Sequence, residues 1–347
     1  GGLALQYAVL AAHFRSRRAG NPLLQRGPAI LFSPGTPMSK TALLFAGQGA
    51  QNVGMGKDLA EAFPIAKTLF EQANEILGYD LSTVCFEGPE DELTKTENAQ
   101  PGIFLVSWIA FQLLKDRSPD LAFDSAAGLS LGEFTALAAA GAVSFEDGLR
   151  VVRQRGKFMQ EACEETQGGM AAIIGLDEAQ TREVCDASGV ELANLNCPGQ
   201  IVISGAADKI EIACEAAKAK GAKRALPLTV AGAYHSQLMA AAQPRLKAAL
   251  DAVAINAPTV PVISNVTAQA HGAPDGIGAT LVAQVTSSVH WEASIRLLLE
   301  QGFNRFIELG PGNALSGFMK RIDRGVEMLN VADAASLEKT AAALATD

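Results

Sequence analysis

A short apolar segment, a serine between two glycines and a helix-forming run follow one another between Ser125 and Leu137. The segment reads SAAGLSLGEFTAL, and Gly128 and Gly132 flank Ser130 in it. This order predicts a strand, a tight turn and a helix. The glycines remove the Cβ atoms that would clash where the backbone reverses sharply. The pattern therefore favours an α/β fold with Ser130 above the end of a strand.

A serine in such a turn is exposed at the sheet edge and lies at the N-terminus of the following helix. Free backbone N–H groups and the helix dipole favour developing negative charge at that point. These features indicate a nucleophile at Ser130. The alternative is a structural serine in a glycine-rich turn, and the predicted strand and helix on either side favour the nucleophile.

The histidines restrict the choice of a catalytic base, because the chain has only 4 of them. His13 lies within residues 1–37, whose origin is open, His271 in a loop rich in glycine and proline, and His290 near a helix start. His235 follows a predicted strand in the segment GAYHS. It is the best candidate base for Ser130, because histidine alone titrates unaided near neutral pH. A structural histidine is the other interpretation.

Two further polar residues stand where a site could form. Gln48 follows the short apolar strand ALLFA in a glycine turn, and open α/β sheets build their sites at the carboxyl ends of strands. Arg155 lies in a long helix that we expect to begin with the capping-box spacing of Ser144 to Asp147. It could project from the edge of the apolar face of that helix. A plain turn and a solvated arginine are the alternatives.

Residues 166–230 are predicted to form a strand, a helix, two strands, a helix and a strand, in this order. That order is typical of a ferredoxin-like unit. Alternation of strands and helices resumes afterwards, so we interpret residues 166–230 as an insertion. The larger α/β domain then consists of residues 38–165 and 231–347. We also expect an apolar helix that begins at Pro101.

Residues 1–37 differ from the rest of the chain. They contain no Asp or Glu, and they end in the breaker-rich SPGTP before Met38. Three interpretations stay open: an organelle-targeting extension, an artificial leader, or an over-extended start with Met38 as the true first residue. We favour the last two, because no clear cleavage signal appears.

Charge, hydropathy and cysteine content exclude several classes of function. The net charge of −9 argues against a nucleic-acid partner, because phosphate contact needs a basic face. No run approaches the roughly 20 apolar residues of a membrane span. The 5 cysteines lack C-x-x-C spacing, so we expect free thiols in a reducing compartment and no metal site. We expect a cytoplasmic monomer, or an organellar protein, for example of the plastid, if residues 1–37 are a targeting extension.

Six segments in this order and spacing resemble the malonyl-CoA:acyl carrier protein transacylase family over residues 39–345. They are GQGAQ, GLSLGE, RQRGKFMQ, NCPGQIVISG, GAYHS and ELGPG. The resemblance implies an α/β fold, a hydrolase-like larger domain on a parallel sheet with an inserted ferredoxin-like subdomain. It also implies transfer of malonyl from malonyl-CoA to the phosphopantetheine thiol of acyl carrier protein, supplying fatty acid synthesis, without a cofactor.

The resemblance also implies the chemistry of the reacting centre. Ser130 would be the nucleophile that takes the malonyl group as an ester, and His235 would act as the base and then as the acid. The backbone N–H groups of Gln48 and Leu131 would form the oxyanion hole. A thioester and an ester differ little in energy, so a good nucleophile and an oxyanion site suffice.

Substrate recognition is implied in the same way. Arg155 would bind the free malonyl carboxylate through two parallel hydrogen bonds, which an acetyl group cannot form. Gln284 would orient His235 through its main-chain carbonyl, so no third acidic residue is required. Asn194 and Asn196 would lie on the wall of the cleft.

Two other functions compete with this interpretation. A serine hydrolase or thioesterase on the same turn would release free malonate, and an idle acyl-CoA-binding scaffold would not be acylated. The pair of Ser130 and His235 argues against the scaffold. Many members of the family have histidine where this chain has Leu129, which leaves fine acyl selectivity open. An acidic carrier protein needs a basic patch, for which Lys320 and Arg321 are candidates.

Overall fold

Two β-sheets organise residues 39–346, the part of the chain that the computed structural model describes. The interpretations of residues 1–37 lie outside the described residues. The strands are β1 (Thr41–Phe45), β2 (Ser125–Gly128), β3 (Gly168–Ile174), β4 (Glu191–Cys197), β5 (Gln200–Ala206), β6 (Arg224–Pro227), β7 (Val262–Ile263), β8 (Arg305–Leu309) and β9 (Glu327–Val331). The α-helices are α1 (Lys57–Ala62), α2 (Pro64–Leu77), α3 (Leu81–Glu87), α4 (Glu90–Thr94), α5 (Thr96–Arg117), α6 (Gly132–Ala139), α7 (Phe145–Glu165), α8 (Glu178–Ser188), α9 (Ala207–Ala219), α10 (Gln243–Asp251), α11 (Pro274–Gln284), α12 (Trp291–Glu300), α13 (Ala314–Ile322) and α14 (Ala334–Leu344). A 3-10 helix, Gln237–Ala242, leads into α10.

The first sheet is parallel throughout, with the strand order β7-β2-β1-β8-β9. Neighbouring residues of β1 belong to different hydrophobic clusters, Leu43 to one and Leu44 to the other. Both faces of this sheet are therefore covered by apolar side chains. Phe45, at the end of β1, is the register partner of Gly128, at the end of β2. The loops that follow these strands therefore leave the sheet side by side at its carboxyl edge, where open α/β sheets build their sites.

The second sheet is antiparallel, with the strand order β4-β5-β3-β6. It has a hydrophobic core of its own with α8 and α9, to which Ile173, Val184 and Ala213 belong. Its order of elements, β-α-β-β-α-β, is that of a ferredoxin-like unit. The predicted fold class is confirmed. The domain boundaries at 166 and 230 stay a prediction, because residues 39–346 form one compact unit.

The helix that was expected to begin at Pro101 begins earlier, at Thr96, so that prediction is wrong. Proline has no N–H, and the carbonyl of Glu97, four residues before it, therefore loses its helical partner. Arg153 of α7 donates from Nη1 to that carbonyl at 2.9 Å. The same nitrogen lies 2.7 Å from the Glu97 carboxylate. This contact from a neighbouring helix satisfies the carbonyl that Pro101 leaves free.

Helix α7 begins where the capping-box spacing predicts, and it packs closely on α5. The Ser144 hydroxyl accepts a hydrogen bond from the N–H of Asp147 at 3.1 Å. Further along, a Cβ on Gly156 would lie 2.6 Å from the carbonyl oxygen of Thr96. A glycine at this point lets the two helices approach, and its neighbour Arg155 is carried into the core.

We expect Gly156→Ala to lower the free energy of unfolding by about 1–3 kcal/mol, because the added methyl group forces the two helices apart. Gly317→Ala in α13 is the matched control, because a Cβ there meets open space. That change should raise the free energy of unfolding by up to about 1 kcal/mol through better helix propensity. Urea denaturation of both variants measures the difference, and equal effects at the two sites would contradict the close packing.

Candidate active site

Residues 128–132, which we call the elbow, join β2 to α6. Ser130 in the elbow has φ 53°, in the left-handed region, which costs a residue other than glycine about 1–3 kcal/mol. A Cβ on Gly128 would lie 1.9 Å from the carbonyl carbon of Gly132. One on Gly132 would lie 2.3 Å from the carbonyl oxygen of Phe45. Both glycines are therefore required by close backbone contacts.

Ser130 and His235 lie in direct contact. Oγ of Ser130 is 2.8 Å from Nε2 of His235, and Nδ1 of the same ring is 2.9 Å from the main-chain carbonyl oxygen of Gln284. A carbonyl can only accept a hydrogen bond, so Nδ1 carries the proton. Nε2 is then free to accept the proton of the hydroxyl. The arrangement can activate a serine, with a main-chain carbonyl orienting the imidazole.

His235 is held in its neutral form. Burial, followed by the nearby positive charge of Arg155, lowers the pKa of His235 to about 4. Both effects act against the imidazolium, because burial removes its hydration and Arg155 repels it. The ring is therefore available as a base at neutral pH.

Arg155 contacts the hydroxyl of Ser130 and is 1% exposed. Its Nη2 donates to Oγ of Ser130 at 3.2 Å and to Oε1 of Gln284 at 2.9 Å. Its Nη1 donates to Oε1 of Gln100 at 2.6 Å. Within residues 39–346, Nε has no hydrogen-bond partner and the guanidinium forms no ion pair. Burial lowers the pKa of Arg155 to about 10. A buried cation that has only neutral partners can bind an anion, because an unpaired buried charge is costly.

A cleft of about 370 Å³ lies next to Ser130 and His235. Both residues line it together with residues 46–51 of the loop after β1 and with Asn194 and Asn196 of β4. The cleft is therefore bounded by both sheets. Five of the residues that the sequence associated with the site line this cleft, namely Gln48, Ser130, Asn194, Asn196 and His235. The other three, Leu131, Arg155 and Gln284, are buried and do not line it.

Gln48 and Leu131 are the predicted backbone N–H donors of the oxyanion hole. Gln48 lines the cleft, and Leu131 is buried directly after Ser130. Among the described residues neither N–H has a hydrogen-bond partner. Both N–H groups are therefore available to an oxyanion next to Ser130.

Lys320 and Arg321 lie at the end of α13, the helix that lines another side of the cleft. Arg321 donates from Nη1 to Oε1 of Gln200 at 2.8 Å and from Nη2 to the carbonyl of Pro198 at 2.7 Å. It thus joins α13 to the turn between β4 and β5, while Lys320 is exposed. Their role in docking a carrier protein stays a prediction.

Residues 42–340 match the family model of the acyl transferase domain. The chain belongs to the acyl transferase family. It is 47% identical over 306 residues to the malonyl CoA-acyl carrier protein transacylase of Bacillus subtilis, covering 87% of this chain and 96% of the relative. It is 43% identical over 289 residues to the Escherichia coli protein of the same name, covering 82% and 93%. These matches confirm the family that the six segments indicated.

Solved structures resemble this acyl transferase over most of its length. The acyl-carrier-protein-S-malonyltransferase from Bartonella henselae has a TM-score of 0.84 at 41% identity, over 88% of this chain and 99% of that one. A malonyl-transacylase in complex with its type II polyketide synthase acyl-carrier protein has a TM-score of 0.85 at 39% identity, over 89% and 100%.

Other features of the acyl transferase bear on the classes of function considered above. Within residues 39–346, no helix is long and apolar enough to cross a lipid bilayer. All five cysteines are buried and free. Burial raises the pKa of Cys85 to about 12, so this thiol stays protonated at neutral pH.

The site also contains buried polar residues that sequence reasoning missed. His271, which was expected only in a loop, lies with Nε2 2.7 Å from Oε1 of Glu133. Asn265 contacts the elbow directly. Glu133 directly follows Gly132, the last residue of the elbow, and Asn265 follows β7 at the carboxyl edge of the sheet. Position after a strand was therefore a usable signal for Asn265, whereas nothing local indicated that the side chain of His271 is buried.

We expect the reactivity of Ser130 toward an uncharged fluorophosphonate to fall only as pH drops through about 4, because protonated His235 cannot accept the serine proton. Arg155→Met removes a charge that lowers the pKa of His235, so the loss should begin at higher pH. Labelling rates measured across pH, with circular dichroism to verify folding at each point, test this. A midpoint near the ordinary histidine value of about 6.5 in both proteins would contradict it.

Proposed function

We propose that this acyl transferase moves the malonyl group from malonyl-CoA to the phosphopantetheine thiol of acyl carrier protein, supplying fatty acid synthesis. The reaction proceeds through a malonyl ester on Ser130 in a ping-pong cycle. The names of the relatives from Bacillus subtilis and Escherichia coli support this substrate and acceptor. The solved complex of a malonyl-transacylase with its acyl-carrier protein supports the partner.

The observation that carries the proposal is a buried guanidinium beside an activated serine. Nη2 of Arg155 lies 3.2 Å from Oγ of Ser130. An acyl group on that oxygen therefore extends into the neighbourhood of a buried positive charge. In a malonyl group one methylene separates the reacting carbonyl from a carboxylate, whereas an acetyl group ends in a methyl. The buried charge favours malonyl because the carboxylate compensates it.

In the first half-reaction, Nε2 of His235 takes the proton of the Ser130 hydroxyl while Oγ attacks the thioester carbonyl of malonyl-CoA. Negative charge develops on the carbonyl oxygen, and the N–H groups of Gln48 and Leu131 stabilise it. The carbon–sulfur bond then breaks. His235 returns its proton to the departing thiolate, so CoA leaves as the thiol and malonyl remains on Ser130.

The second half-reaction runs through the same groups in reverse. The thiol of the carrier's phosphopantetheine gives its proton to His235, and its sulfur attacks the ester carbonyl. The bond from the carbonyl carbon to Oγ breaks, and the proton passes from His235 to Ser130. Only acyl and proton transfers occur, so serine, imidazole and N–H donors suffice without a cofactor.

Intact-protein mass spectrometry after brief mixing with malonyl-CoA tests the proposal. We expect one malonyl adduct on the wild-type protein and its loss when acyl carrier protein in the phosphopantetheine form is added. Ser130→Ala should form no adduct, because the attacking oxygen is absent. An adduct that persists in Ser130→Ala would place the nucleophile elsewhere.

The other outcomes select the competing functions. An adduct that decays to free malonate at the same rate with and without carrier protein would make the protein a hydrolase. A folded wild-type protein that binds malonyl-CoA without forming an adduct would make it a scaffold.

Arg155→Ala should lower kcat/KM for malonyl-CoA by about 100-fold or more, since the variant lacks the partner of the malonyl carboxylate. The kcat/KM for acetyl-CoA should fall much less, because acetyl has no carboxylate that interacts with Arg155. The ratio of the two kcat/KM values measures the selectivity, and Arg150→Ala, at an exposed position of the same helix, is the control. An equal loss for both substrates in Arg155→Ala would remove Arg155 from substrate recognition.

A further inference from the structure

The backbone of Ser130 needs an external support, because its left-handed conformation is unfavourable for a residue with a side chain. The contacts that support it come from behind the elbow, on the side of β7. The residue that makes them is Asn265, which lies two residues after the end of β7 and is fully buried.

Asn265 joins both sides of the turn. Its Oδ1 accepts a hydrogen bond from the N–H of Ser130 at 2.6 Å. Its Nδ2 donates to the carbonyl of Gly128 at 2.8 Å. The orientation of the amide follows, because a main-chain N–H can only donate and a main-chain carbonyl can only accept. One side chain therefore fixes the peptide groups on either side of Leu129.

These bonds also decide which N–H groups can face a substrate. The N–H of Ser130 is occupied by Asn265. It cannot at the same time stabilise an oxyanion in the cleft. The N–H of Leu131 and that of Gln48 remain for this purpose, because neither has a partner among the described residues.

Asn265 is itself held firmly by buried groups. Its N–H donates to Oε2 of Glu133 at 3.0 Å, and its carbonyl accepts the N–H of His290 at 2.9 Å. Glu133 is fully buried, and its other oxygen, Oε1, lies 2.7 Å from Nε2 of His271. A carboxylate with partners on both oxygens has little freedom to turn. The N–H of Asn265 therefore donates to an acceptor that is held in place.

The same carboxylate connects this support to the rest of the site. Nε2 of Gln284 donates to Oε2 of Glu133 at 2.7 Å and to the carbonyl of Ser130 at 3.0 Å. Oε1 of Gln284 accepts from Arg155 at 2.9 Å. Glu133 thus sets the direction of the Gln284 amide, and Gln284 in turn contacts both the elbow and the buried cation.

We propose that Asn265 is a positioning residue that holds the Ser130 backbone in its reactive conformation and keeps the Ser130 N–H out of the oxyanion hole. The proposal rests on the proposed role of Ser130 as the nucleophile. Asn265 does not touch the substrate. It acts through the two peptide groups of the elbow.

The experiment measures the rate at which a fluorophosphonate labels Ser130, together with kcat and KM for malonyl-CoA, in Asn265→Ala and Asn265→Asp. The matched controls are Asn98→Ala and Asn98→Asp. Asn98 is also buried, accepts from the Tyr79 hydroxyl at 3.1 Å and donates to the Glu92 carbonyl at 3.0 Å. The controls therefore remove an equivalent buried amide away from the elbow, and thermal unfolding compares the stability of each pair.

We expect Asn265→Ala to lower the labelling rate and kcat by about 100-fold, as displacement of a reacting group by about an ångström does. KM for malonyl-CoA should stay unchanged, because Arg155 is intact. Asn265→Asp keeps an acceptor for the Ser130 N–H and should recover part of the loss. If Asn265→Ala does not fold, Asn265→Asp carries the test, with labelling at least tenfold slower than in Asn98→Asp.

Labelling of a folded Asn265 variant at the rate of its Asn98 counterpart would overturn the proposal. So would a rise in KM with kcat unchanged. Failure of Ser130 as the nucleophile is distinguishable from both, because wild type and Ser130→Ala would then be labelled equally. A hydrolase would instead release free malonate in the mass measurement, while Asn265→Ala would still be labelled more slowly than Asn98→Ala.

Discussion

The close approach of the elbow to the end of β1 is the constraint on which the site depends. Gly132 lies so near the Phe45 carbonyl that a Cβ would be 2.3 Å from that oxygen. Parallel pairing of β1 with β2 creates this proximity, because Phe45 and Gly128 are register partners. The turn after β2 therefore passes directly beside the loop that contains Gln48. One backbone contact thus determines where the serine hydroxyl and the candidate oxyanion donors meet.

Burial has two electrostatic consequences in this site, and they support one another. It keeps His235 neutral, with its pKa near 4, and it leaves Arg155 as a cation whose direct partners are the neutral groups Gln100, Gln284 and Ser130. The positive charge further opposes protonation of the imidazole. An anion that binds Arg155 reduces this opposition, so the proposed binding of a malonyl carboxylate and the basicity of His235 are coupled.

Much of this arrangement could be predicted from local patterns. The glycine-flanked serine and the capped helix that carries Arg155 each depend on residues within one short segment. The β-α-β-β-α-β order depends on a series of such segments, each of which can be recognised by itself. Prediction was less successful where a contact between distant residues determines the local structure. The start of α5 before Pro101 depends on a hydrogen bond from Arg153 to the Glu97 carbonyl. Strand β9 lies at the edge of the sheet, with Val331 as its one fully buried residue. Glu327 and Asn330 interrupt its apolar residues, so no strand was predicted there.

The sequence by itself determined the class of fold, the elbow and the identities of the candidate serine, histidine and arginine, because turn chemistry and hydrophobic periodicity are local. Only the tertiary structure decided which groups surround them. The Gln284 side chain, Glu133, Asn265 and His271 converge from three segments of the chain, since Asn265 and His271 lie in the same loop between β7 and α11. Glu133 contacts the other three across more than a hundred residues, and no local pattern records a hydrogen bond that exists only after the sheet has assembled. Packing at the carboxyl edge of the sheet brings these groups together and orients them.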